Sequence, residues 1–116
     1  MRNEYPAKVL LAWGEAISGH RELRDWLTKN GYPELGIFVF ALNNKDEARK
    51  WLMANGHQHL MAMIRGIEGD KVALEWLERN GMKVLKHVAL TGDHDDEAFH
   101  WLLKHGHREL AMLGLK

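Results

Sequence analysis

Tryptophan recurs at positions 26, 51, 76 and 101, a step of 25 residues each time (51 − 26, 76 − 51, 101 − 76). Each is followed at once by leucine (Leu27, Leu52, Leu77, Leu102) and five residues later by glycine (Gly31, Gly56, Gly81, Gly106). A fixed period of this kind marks a tandem array, in which one supersecondary unit stacks on the next.

Each unit reads as two short helices. In the second, Asn44 and Glu47 have capping-box spacing, and Ala48, Trp51 and Leu52 form an apolar stripe. Asn55-Gly56 ends the helix, because glycine takes the left-handed backbone needed just past a helix. Leu60, Met63, Ile64 and Ile67 then fall at i, i+3, i+4 and i+7, the spacing of one face of a following helix. Residues 6–17 read as an opening helix with Pro6 at its start and a stripe of Leu10, Trp13, Gly14 and Ile17. Leu10, Leu35, Leu60, Leu85 and Leu110 form one column, so this opening helix is the second half of a unit. Ala16, Ala41, Gly66 and Thr91 form another, where close helix contact excludes bulk.

The expected fold is all-α: an α-solenoid of stacked two-helix hairpins, about nine short helices in a single domain over 1–116. Its divisions are a half-unit at 6–19 and units at 20–44, 45–69, 70–94 and 95–116. Helices of about ten residues are marginal alone in water, so their stripes must stack on neighbours. On this reading the tryptophans are core, and truncating one to alanine costs about 3–5 kcal/mol.

From Trp101-Leu102-Leu103-Lys104-His105-Gly106, and from the order of short helix, glycine, short helix, the unit resembles the ankyrin repeat. Ankyrin units are longer, about 33 residues, with a β-turn finger and a Thr-Pro-Leu-His-type start. Here the period is shorter and no such tetrapeptide occurs. The likeness is to an ankyrin-like α-solenoid without fingers. It implies protein–protein interaction as the usual role and carries over no binding residue.

Other chemistry finds little support. Lysine plus arginine and aspartate plus glutamate balance at 16 each, without the basic excess that nucleic-acid binding calls for. No run approaches the length of a membrane span, and Met1 to Pro6 lack the apolar core of a signal peptide, so the expected setting is cytoplasmic. Cysteine is absent, which removes thiol chemistry. His57/His59 and His105/His107 stand two apart, a spacing that turns two helical side chains to different faces. Asp93-His94-Asp95-Asp96-Glu97 lacks the glycine and twelfth-position glutamate of a calcium loop and reads as helix capping. The three serine and threonine residues, Ser18, Thr28 and Thr91, lie in no nucleophile elbow. No catalytic residue, cofactor or metal is expected, and the chain reads as non-catalytic.

In solenoids the invariant phases build the stack and the variable ones face the partner. The second helices vary at Glu15, Phe40, Arg65, Leu90, Leu115 and at Ala12, Ile37, Ala62, His87, Met112. Phe40, Arg65 and His87 are the expected binding residues, and the expected partner is another protein. The alternative is a segment of a longer array, or a subunit that self-associates through an open C-terminal end carrying Leu110, Met112, Leu113 and Leu115.

Overall fold

The computed structural model describes residues 5–116. Met1 to Glu4, which carry most of the segment read above for a signal peptide, lie outside the described residues. Nine helices occur among the described residues, with no strand: α1 (Ala7–Ile17), α2 (Arg21–Lys29), α3 (Pro33–Leu42), α4 (Asp46–Ala54), α5 (Gln58–Ile67), α6 (Lys71–Arg79), α7 (Lys83–Gly92), α8 (Asp96–Lys104) and α9 (Arg108–Gly114). The helix pairs follow the 25-residue period. No helix among the described residues is long and apolar enough to cross a membrane.

The chain forms two compact units, Met1–Met61 and Ala62–Lys116. In the first, α1 packs on α2 and α3, α2 on α3, and α3 on α4. In the second, α6 packs on α7, α7 on α8 and α9, and α8 on α9. In both, a second helix lies beside the next second helix, and the intervening first helix touches both. This is the packing of stacked hairpins.

Every connection is three residues long, and all are built alike. At each first-helix end the glycine takes positive φ (Gly56, φ 80°) and the next backbone N–H reaches back five residues, as from His57 to the Leu52 carbonyl at 2.8 Å. This is the Schellman arrangement, which satisfies carbonyls that the helix leaves open. The second-helix ends repeat it, with N–H groups of His20, Lys45, Asp70 and Asp95 bonded to the carbonyls of Glu15, Phe40, Arg65 and Leu90. The left-handed residue there is Gly19, Asn44, Gly69 or His94.

This overturns the capping box at Asn44. Asn44 has φ 65° and closes α3; the residue that caps α4 is Lys45, without a side-chain bond. A three-residue connection has one residue that ends the first helix, one that turns left-handed and one that opens the next. Only the third position can cap. Asp70 and Asp95 occupy it, accepting from Val72 N at 2.9 Å and from Ala98 N at 3.1 Å. The capping reading of the 93–97 run therefore holds at Asp95.

The first unit is centred on Trp13 and Phe38, each 1% exposed, whose rings meet edge to face at 5.0 Å and 81°. In α1 the buried residues are Val9, Ala12, Trp13, Gly14 and Ala16. The predicted stripe is thus rotated: Leu10 and Ile17 are only half-buried. Leu35, Leu60 and Leu85 of the leucine column are buried, and Leu10 and Leu110 half-buried. Glu34, in the first turn of α3, is buried and accepts a hydrogen bond from the Tyr5 hydroxyl at 3.0 Å, at a helix start where an anion is favoured. The small-residue column is buried throughout (Ala16, Ala41, Gly66, Thr91). At Gly66 a Cβ would come within 2.7 Å of Leu74 Cδ2 and 3.0 Å of Ala89 Cβ, so only glycine fits without displacement.

The repeat tryptophans lie at the margin of the core. Leu27, Leu52, Leu77 and Leu102 are each 0% exposed, whereas Trp26, Trp51, Trp76 and Trp101 are half-buried. In a nine-residue helix such as α4, Ala48 and Leu52 define the axis of the apolar stripe. Trp51 is offset about 100° from Leu52 and lies on its flank. Its backbone has a fixed role instead. The Asn30, Asn55 and Asn80 side-chain amides donate to the Trp26, Trp51 and Trp76 carbonyls at 2.7, 2.8 and 2.8 Å.

Candidate functional site

With their indoles on the flank, the tryptophans become surface features. In the first unit this produces an open groove of about 680 Å³ between α2, α3 and α4. Ile37 and Phe40 from α3 and Ala48 and Trp51 from α4 supply its apolar lining. Asp25, Thr28 and Lys29 from α2, with Lys45 and Glu47 at the start of α4, supply the polar part. Phe40 is 41% exposed, and the Arg24 guanidinium carbon stands 4.4 Å from its ring centroid. The His57 ring is stacked against Trp51 at 5.6 Å and 11°.

The second unit treats the same phases differently. His87 occupies the phase of Ile37 and lies on the Trp101 indole, centroids 3.9 Å apart and planes 12° from parallel. His105 stacks on the same indole at 4.0 Å and 19°, and Lys83 Nζ is 5.8 Å from its centroid. Both imidazoles are pinned through Nδ1, His87 to the Lys83 carbonyl and His105 to the Trp101 carbonyl, each at 2.8 Å. A carbonyl can only accept, so Nδ1 is the donor in both rings.

The three binding residues expected from sequence divide between the units. Phe40 belongs to the groove of the first. Arg65 is exposed in the last turn of α5, within the second. His87, also in the second, is half-buried and engaged with Trp101. Sequence reasoning missed Trp51, Ile37 and the charged rim. No sequence signal separated tryptophan from leucine, since both are apolar and both recur at every step of the repeat.

His57 and His59 approach only to 6.0 Å between rings, His59 being buried and His57 half-buried. Among the described residues no three histidine, aspartate or glutamate side chains are placed to hold a metal ion. Exposed apolar side chains other than Phe40 include Leu103, Met112 and Leu115 in the last hairpin, the last two at 44% and 58%. Comparison of the chain with protein-family models, with curated proteins and with solved structures finds no match.

Proposed function

We propose that this chain is a non-catalytic helical-repeat module that binds another protein, an ankyrin-like array without fingers, at home in the cytoplasm. The observation that supports it is the groove of the first unit, where the half-buried Trp51 and the 41% exposed Phe40 line one open, largely apolar surface. Large aromatic side chains within a polar rim are the usual energetic centres of protein interfaces. A volume of about 680 Å³ suits side chains of a bound segment.

Panning a displayed peptide library against the full chain tests the reading. Binders are expected whose affinity falls roughly tenfold or more with Phe40→Ala, the size of effect a hot-spot residue gives. Arg65→Ala and His87→Ala are the companion variants for the second unit. If every binder is indifferent to all three, the reading fails.

A second reading, self-association or membership of a longer array, is supported by the exposed Met112 of α9 and Leu115 just after it. Exposed apolar side chains, where they cluster, mark interfaces. Light scattering over a dilution series decides it: a constant monomer mass rejects self-association.

A further inference from the structure

We infer that the groove of the first unit seats a flat side-chain ring of the partner, an imidazole, stacked on the indole of Trp51. This rests on the protein-binding reading above and names what that partner must present.

The repeat supplies the reasoning. Ile37 and Trp51 stand 50 residues before His87 and Trp101 (87 − 37, 101 − 51). In the second unit the protein fills this place itself, His87 lying on Trp101 at 3.9 Å and 12°. In the first unit the same phase carries Ile37, a side chain with no flat face; Trp51 meets only the offset ring of His57 at 5.6 Å, and Ile37 and Trp51 line one open groove. His87 is thus an internal stand-in for the missing occupant. It reports a planar ring, nearly parallel to the indole, at van der Waals distance.

The rim selects the class of molecule that carries the ring. Lys29 and Lys45 are matched by Asp25 and Glu47, so the lining has no net charge. A nucleotide also offers a flat ring, but its phosphates require a basic excess that this rim lacks. A peptide with a histidine between one acidic and one basic residue matches both the stacking surface and the balanced rim.

The test follows the indole N–H signals of the full chain by NMR, assigned with single Trp→Phe variants. The probe is a blocked Glu-His-Lys tripeptide, compared with blocked Glu-Leu-Lys and with AMP. The Trp51 signal is expected to shift saturably with the histidine peptide, at least roughly threefold tighter than with either comparison, the size a stacked ring adds. Trp101, already covered, stays unmoved. Ile37→His should close the groove and abolish the Trp51 response. His87→Ala should uncover Trp101 and make it respond, which tests the stand-in independently if Ile37→His fails to fold. Equal shifts with the leucine peptide, tighter binding of AMP, no saturable Trp51 shift at millimolar peptide, or a Trp101 that ignores the probe in His87→Ala would each overturn the inference. Phe40-dependent library binders that lack a ring over Trp51 would overturn it alone and leave the protein-binding reading intact.

Discussion

The imidazole of His87 lies 3.9 Å from the indole of Trp101 and within 12° of parallel, and His105 stacks on that indole at 4.0 Å. Parallel rings at this distance keep water off the stacked faces, while the indole as a whole stays half-buried at the margin of the leucine core. A tryptophan in this position acts as a stacking surface, which changes what its removal should cost.

Leu77→Ala should destabilise the chain by about 2–5 kcal/mol, because it leaves a cavity at a site that is 0% exposed. Trp76→Ala, its half-buried neighbour, should cost less, about 2–3 kcal/mol, because part of the indole already meets solvent. Denaturant unfolding of the two variants gives the order directly. A larger loss for tryptophan would restore the core reading of the repeat indoles.

Removing one ring from the Trp101 stack should have a modest energetic effect and a clear optical one. His87→Ala is expected to lose about 0.5–1.5 kcal/mol, the worth of an aromatic pair beyond its buried area. Trp101 emission should move to longer wavelength as water reaches the indole. Measured in a variant with the other tryptophans replaced by phenylalanine, an unchanged spectrum would contradict the stack.

His94 has φ 67°, a left-handed conformation that a side chain disfavours, at the phase where Gly19 and Gly69 stand. His94→Gly should therefore stabilise by about 0.5–1 kcal/mol, the strain relieved exceeding the entropy that glycine adds to the unfolded chain. Asn44→Gly should gain less, since asparagine tolerates this region best among the non-glycine residues. Thermal unfolding of both, compared with the parent, checks the sign and the order.

Gly66→Ala places a methyl carbon 3.0 Å from Ala89 Cβ and 2.7 Å from Leu74 Cδ2. Leu74 can rotate away, but Ala89 moves only with α7. The expected cost is about 1–3 kcal/mol, in the range for overpacking a tight interface. A neutral or stabilising result by denaturant unfolding would show that α7 yields freely.

Much of this architecture is written in local chemistry. The period of Trp26, Trp51, Trp76 and Trp101, the glycines behind them and the leucine column set the number, length and pairing of the helices. These features act over four or five residues, the reach of a helical turn or a Schellman bond. The exclusion of bulk at Gly66 was also readable, because a small residue repeated at one phase implies a close neighbour there. The cap was misplaced by one residue at Asn44. A connection of three residues serves two helices, and asparagine suits both capping and left-handed roles.

What tertiary structure alone decided is which side of each Trp-Leu pair faces the core. Both residues are apolar and both are invariant in the repeat, so periodicity cannot separate them. Neighbouring helices bury Leu52 completely and leave Trp51 on the flank. The same holds for the groove. Ile37 and His87 occupy one phase and differ by a single side chain, yet one borders an open surface and the other covers Trp101. Ring stacking depends on distance and angle between residues on different helices, and those quantities exist only after the hairpins have packed.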